Sequence, residues 1–380
     1  MSSASNRVLM RLNAAIAASV MWCALSPAAA DIDVRDWDEV QQKAKGEGTV
    51  VVAGPAFPNL RDAIVEQFEK DTGIKVEWRP LTRGPGPFIA QFAREAEADR
   101  VQTDVYIGGS TNCYTMNRLA DATVDLRNIL MDPSVTDPSA WRHGELSLTR
   151  GGPNRPHYHW CALNTAEWVM GDLFVNTRYV DPADITSWRD LLRPEYRGKI
   201  AAHDPRHPGG GRGTAAYLFQ LFGEKFLNDL FIGQDVTMYR NYTQAAEDVA
   251  RGKAWIGIAL VQAAVEPLRE RGLPLVRIYP KDGPGLLTGG FGGIMKLKDS
   301  PNPHAGTVFI NWWASRQGQE VAQCELMELS LRTDVNQRDC VPEWIIPRDD
   351  VEYEVHSYAP DHYFRYYLDY VDRVGEIYAD

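Results

Sequence analysis

The spacing of apolar and polar positions divides the chain into short apolar runs alternating with longer segments of helical period. "DWDEVQQKAKGEG" reads as a short helix closed by Gly46 or Gly48, and "TVVVAGPAF" as a buried β-branched strand ending in Gly-Pro. In "NLRDAIVEQFEKDTG", Leu60, Ile64, Val65 and Phe68 share one helical face and Gly73 supplies a stop. "IKVEWRPL" predicts a strand, "GPFIAQFAREAEADR" a helix, and "TDVYIGGST" a strand running into a turn of small residues. This β-α-β-α-β order predicts a parallel sheet with helices on both faces.

From about Pro133 to Trp160 the pattern loosens into a Pro/Gly/His-rich stretch. A second α/β series follows. "DLFVNTRYV" is a strand, "SWRDLLRPEYRG" a turn-rich helical piece, and "KIAAHDP" a strand leading through glycines into the helix "TAAYLFQLFGEKFLNDL". "YTQAAEDVARGK" is a helix ending at Gly252, and "AWIGIALV" and "LPLVRIYPKDG" are strands. "GGIMKLKDS" and "PHAGTVFINWWASRQGQEVAQC" predict a strand and one helix that return to the first lobe. In the tail, Phe364, Leu368, Val371 and Val374 stand at helical spacing and predict a docked helix.

The first thirty residues change the picture of where the chain works. Arg7 and Arg11 precede the apolar run "AAIAASVMWCAL", and small residues stand at Ala28 and Ala30. This is the pattern of a secretory signal peptide cleaved before Asp31, and the apolar run is shorter than the ~20 residues of a membrane span. Cleavage removes two arginines and no acids, which takes the net charge from −11 to −13. An acidic chain without a basic cluster argues against nucleic acid, but a local nest of N–H groups can still hold a small anion. Four cysteines stay in the mature chain and allow three disulfide pairings. The short segment between Cys324 and Cys340 favours that pair, leaving Cys113 with Cys161. Zinc is the rival reading, but no two cysteines have C-x-x-C spacing.

Taken in order, "GTVVVAG", "FEKDTGIKVEW", "DVYIGGST", "DLFVNTRYV", "SWRDLLRPEYRGKIAAHDP", "AAEDVARGKAWIGIAL", "YPKDG" and "NWWASRQGQEVA" resemble the extracellular solute-binding proteins of ABC importers, in the branch that contains ferric-ion-binding proteins. The likeness runs from Gly48 to about Thr333. It implies an α/β fold of two lobes, each a mainly parallel sheet flanked by helices, with the ligand in the cleft between them. On this basis the first lobe comprises 31–168 and 284–345, with 133–160 irregular, the second lobe 169–283, and the helical tail 346–380. The resemblance implies a periplasmic, monomeric carrier that captures a small solute, passes it to an inner-membrane permease, and needs no cofactor. One departure concerns iron. The ferric branch carries two adjacent tyrosines just after the strand that "AWIGIAL" resembles, and this chain reads "VQAAVE" there.

Several residues are therefore candidates for the solute. "DPRHPGGGRGT" joins a strand to a helix whose first N–H groups lack partners and whose dipole is positive at that end. Gly210, Gly211, Gly213 and Thr214 are expected to form an anion nest there, with Arg212 as a bidentate partner. The resemblance points the same way, since the equivalent turn in related iron binders holds an accompanying anion. The plain alternative is an ordinary loop. The rule that ligands lie beyond the carboxyl ends of parallel strands adds Pro55, Ala56 and Phe57, then Ser110, Thr111 and Asn112, and Tyr242 in "RNYTQ". Ser110 and Thr111 could instead simply cap the next helix. Gln262 stands where the ferric branch has tyrosine, and Thr288 lies at the return to the first lobe. The expected cargo is an organic anion such as a carboxylate, phosphonate or phosphate ester. The alternative is Fe³⁺ on a different ligand set, Tyr239, Tyr242, His157 and His159, with both histidines on one face of a strand. An exported enzyme fits less well, for the chain has no G-x-S-x-G elbow and no H-E-x-x-H motif. A partner of a membrane sensor would need the same closing cleft.

Overall fold

A computed structural model describes residues 36–151, 156–170, 172–207, 209–355 and 368–378. The expected signal peptide and Phe364 lie outside the described residues. The two α/β series form two sheets. The first has six strands in the order β2 (Lys75–Pro80), β1 (Thr49–Gly54), β3 (Val105–Ile107), β13 (Gly293–Lys296), β5 (Leu163–Asn164) and β4 (Ser147–Leu148). The second has five, β11 (Leu275–Ile278), β7 (Leu173–Asn176), β10 (Ile256–Ile258), β8 (Ile200–His203) and β9 (Thr237–Tyr239). The strands β1 and β8 stand where the β-branched and small-residue patterns predict them and are almost wholly buried, whereas β4, β5 and β9 were not among the expected strands.

Both sheets are mixed, which corrects the expectation of mainly parallel ones. β1 is parallel to β2 and β3, and β8 is parallel to β9 and β10. β13, β5 and β4 run antiparallel in the first sheet, as do β7 and β11 in the second. The reversal arises because the chain crosses between the two sheets and adds strands on its way back.

A third sheet, of four strands, was not visible in the sequence pattern. Its order is β14 (Leu329–Ser330), β6 (Ala166–Met170), β12 (Gly285–Thr288) and β15 (Tyr353–Val355). β6 and β12 carry the chain out of one large sheet and back from the other, and they pair antiparallel. The tail thus contributes a strand, β15 parallel to β12, before its helix Leu368–Ile377 packs on helix Gly210–Leu227. The expected single return helix is two, Pro303–Ala314 and Arg316–Leu326, because Ser315 accepts the Gly318 N–H and caps the second. Cys113 is bonded to Cys161 and Cys324 to Cys340, the pairing expected. Among the described residues no helix is long and apolar enough to cross a membrane.

Candidate functional site

A cleft of about 200 Å³ opens at the carboxyl ends of β1, β3, β8 and β9. Of the expected residues, Pro55, Ala56, Phe57, Ser110, Thr111, Asn112, Gly210, Gly213, Tyr242 and Thr288 line it. Ser110 precedes helix Thr111–Ala120 without making a capping bond. Its hydroxyl instead accepts a hydrogen bond from Tyr158 Oη at 3.2 Å, so capping does not explain it. Asn112 is committed inward, its Nδ2 donating to Tyr106 Oη at 2.9 Å. Burial pushes the Tyr106 phenol far above its ordinary range. Thr288 Oγ1 accepts the Gly290 N–H at 3.3 Å.

The glycine turn is built differently from a nest. Gly210 N–H donates to Tyr242 Oη at 2.8 Å, and Gly211 N–H donates to His203 Nδ1 at 3.1 Å. The imidazole and phenol stack with centroids 3.9 Å apart and planes 8° from parallel. Burial lowers the His203 pKa to about 4, so the ring is neutral and free to accept at Nδ1. The Tyr242 phenol is raised to about 12 by burial. A methyl on Gly211 would lie 2.1 Å from the His203 carbonyl oxygen. The glycines are therefore needed for the helix start to press against the end of β8. Two amides expected at the ligand already have protein partners.

Four candidates leave the cleft. Gly211 is spent on His203. Arg212 faces away from the cleft, its Nε donating to Pro205 O at 3.3 Å and its Nη2 to Arg206 O at 2.5 Å, beside Gly375 of the tail helix. It clamps the carbonyls of its own loop. Thr214 is buried one turn into the helix. Gln262 donates to Val169 O at 3.1 Å and ties its helix to β6. The alternative ferric set is not brought together either. Tyr239 Oη donates to Asp248 at 2.7 Å, His159 is exposed against Trp160, and His157 is exposed in the 3₁₀ turn Pro156–Tyr158 rather than a strand. Only Tyr242 of that set lines the cleft. Among the described residues no group of three or more His, Cys, Asp or Glu is placed to hold a metal ion.

Other lining residues had weak signals or none in the sequence. His143, Glu145, Arg150 and Tyr158 come from the stretch expected to be irregular. The antiparallel pairing of β4 with β5 and the Cys113–Cys161 bond carry that stretch to the cleft. Arg150 is ion-paired with Glu145, whereas Arg240, exposed at the end of β9, has no acidic partner among the described residues. Trp168 on β6 and Phe291 in the turn after β12 complete the apolar wall. Arg240 and Asn241 were legible as a helix start; Trp168 and Phe291 depend on the third sheet.

Residues 164–324 match the family model described as bacterial extracellular solute-binding protein. The chain is 27% identical over 295 residues to an uncharacterized protein of Haemophilus influenzae, covering 74% of this chain and 78% of that one. It is 24% identical over 291 residues to an Fe(3+)-binding periplasmic protein of Serratia marcescens, with the same coverage, 74% and 78%. Among solved structures, the periplasmic binding protein AfuA of Actinobacillus pleuropneumoniae, with exogenous fructose-6-phosphate bound, superposes with a TM-score of 0.68 at 20% identity, over 88% of this chain and 98% of that one. The family match spans the crossing strand β6, the whole five-stranded sheet and the return helices as far as Cys324, and so takes in the side of the cleft built by the second sheet and the turn after β12. Residues 164–324 thus carry the sequence likeness to bacterial extracellular solute-binding proteins, on a fold shared with periplasmic binding proteins.

Proposed function

We propose that the mature chain works in the periplasm, closes over a small organic anion in this cleft, and presents it unchanged to an inner-membrane permease. The observation that carries the reading is Arg240, a cleft cation with no acidic partner among the described residues. Across from it stand the hydroxyls of Ser110 and Thr111 at the start of helix Thr111–Ala120, whose positive dipole end faces the same space. Phe57, Trp168, Tyr242 and Phe291 give the apolar walls that an organic scaffold needs and a bare metal ion does not. The fructose-6-phosphate bound by the Actinobacillus protein makes a phosphate ester the first class to try.

Thermal unfolding of the chain from Asp31 onward, against phosphate esters, carboxylates, phosphonates, neutral sugars, and Fe³⁺ with and without phosphate, tests this. A solute at ~1,000 times its Kd adds about 4 kcal/mol to the folded state, a shift of several degrees. Arg240→Ala is expected to weaken an organic anion about tenfold or more, the loss of one charge-assisted hydrogen bond. A shift with Fe³⁺ alone would replace the organic anion with iron.

A further inference from the structure

Phe291 is the ring on which both sides of the cleft converge. It meets Phe57, after β1, edge-on at 5.5 Å, and Tyr242, after β9, edge-on at 5.8 Å. Trp168 on the crossing strand β6 lies against it at 6.3 Å. Its own turn does little to fix it, because Gly289, Gly290 and Gly292 surround it and glycine gives the backbone the widest freedom. The anchor comes from elsewhere. Glu328, buried after helix Arg316–Leu326 and just before β14, accepts the Phe291 N–H on its two carboxyl oxygens at 2.9 and 3.0 Å. The Gly292 N–H also points to it. The approach is so close that a methyl on Gly290 would fall 2.3 Å from Glu328 Oε1.

We propose that Glu328 is the positioning residue of the solute cleft: it holds the Phe291 backbone, and through it the aromatic ring that contacts both sides, where the solute binds. The proposal rests on the reading of this cleft as the solute site. It also gives the site a pH dependence. Burial, opposed by two backbone N–H groups, raises the carboxyl to about 8. The titratable groups on the elements around it are the Tyr242 phenol, Glu167 on β6 beside β14, and Glu325 on its own helix. Arg316 and Glu320 on that helix are paired with each other. Among the described residues no neighbouring cation compensates an ionised Glu328. A buried unpaired charge is relieved by admitting water, and the glycine turn is the part that yields. Below pH 8 the neutral acid leaves the turn as the structure shows it; above it the carboxylate, although a stronger acceptor of the two N–H bonds, draws water to its unpaired charge, and the turn around Phe291 shifts.

The test begins without a solute. The mature chain is labelled with 4-fluorophenylalanine, and the Phe291 fluorine resonance is assigned by its loss in Phe291→Leu. In the wild type that resonance is expected to move between pH 7 and 9 with a midpoint near 8, and in Glu328→Gln to stay still. A resonance that does not titrate, or that titrates equally in Glu328→Gln, overturns the proposal. The second arm uses fructose 6-phosphate as the probe, with folding checked by circular dichroism. Glu328→Ala and Phe291→Leu each raise Kd about fivefold or more, and the double variant raises it no further, since both act through one ring. Additive effects, or an unchanged Kd in a folded Glu328→Ala, overturn it. Should fructose 6-phosphate fail to bind the wild type, the phosphate-ester reading falls, and the fluorine titration still decides the role of Glu328.

Discussion

Replacing Gly211 with alanine puts one methyl group where the chain leaves no room for it. The new carbon would stand 2.1 Å from the His203 carbonyl oxygen and 2.6 Å from its carbon. Ordinary contact begins near about 3.5 Å, so the helix start and the end of β8 must part by roughly 1 Å or more. Neither side gives easily, since β8 is buried along its length and Gly211 is buried in the first turn of its helix with its N–H bonded to His203. Overpacking of this kind costs roughly 1–3 kcal/mol. Lengthening the Gly211 N–H bond to His203 adds about 1 kcal/mol, and the better helix propensity of alanine returns up to about 1 kcal/mol. The net loss is about 1–3 kcal/mol, which in a chain of this length lowers Tm by about 1.5–4 °C. Scanning calorimetry reads it, and Gly86→Ala is the control. Gly86 also lies in the first turn of a helix, and a methyl there meets nothing within 4 Å. Its variant should melt at or slightly above the wild type. If Gly211→Ala melts within about 1 °C of Gly86→Ala, the close packing of the glycine turn on His203 is not what these glycines are for.

Arg212→Ala is expected to lower stability by about 1–2 kcal/mol while leaving anion affinity within about twofold, because its guanidinium holds loop carbonyls and not the cleft; a tenfold loss of affinity at unchanged stability would return Arg212 to the site. His203 has a folded pKa lowered to about 4 against about 6.5 unfolded, so its contribution is present above pH 6.5 and is lost as pH falls toward 4. Between pH 7 and 5 this removes about 2 kcal/mol. Glu328, raised to about 8, works in the opposite direction. The histidine effect is therefore read from urea melts as the difference in pH slope between the wild type and His203→Gln; equal slopes would show that His203 is not buried neutral. Removing Cys113–Cys161 by paired serine substitutions should cost about 4 kcal/mol for its 48-residue separation, and removing Cys324–Cys340 about 3 kcal/mol for 16. The first loss should also weaken solute binding, as that bond carries the segment with Arg150 and Tyr158 to the cleft; urea melts and calorimetric titration of each variant check both claims.

What the sequence made legible follows from where periodicity is strong. β1, β3 and β8 are continuous apolar runs followed by helix starts, so the residues after their carboxyl ends could be named, and Phe57, Ser110 and Gly210 do line the cleft. The crossing strands gave no such signal. β6 reads "AEWVM" with every residue buried, so both of its faces are covered and no alternation is left, while five residues that include a glutamate are too few for an apolar run. β12 is too short and glycine-flanked to stand out. Missing those strands meant missing Trp168, Phe291 and the buried Glu328 behind them.

The error over Arg212 has a different origin. Position in the chain placed it beside the ligand, and its helix does begin at the cleft, but successive residues of a helix point about 100° apart. Gly210 and Gly213 share the face toward the cleft; Arg212, between them, points toward Pro205, Arg206 and the tail helix. Spacing alone would have excluded it once Gly210 was taken as the inward residue. The cation that does reach the cleft, Arg240, ends a strand and is followed by a helix capped by Asn241. That loop has no glycine to draw attention, and the sequence reading takes Tyr242 rather than Arg240 from "RNYTQ". For an anion site the more telling sign in the sequence is a basic residue between a buried strand and a capped helix, because the strand end fixes its position and the helix dipole behind it favours the same charge on the ligand.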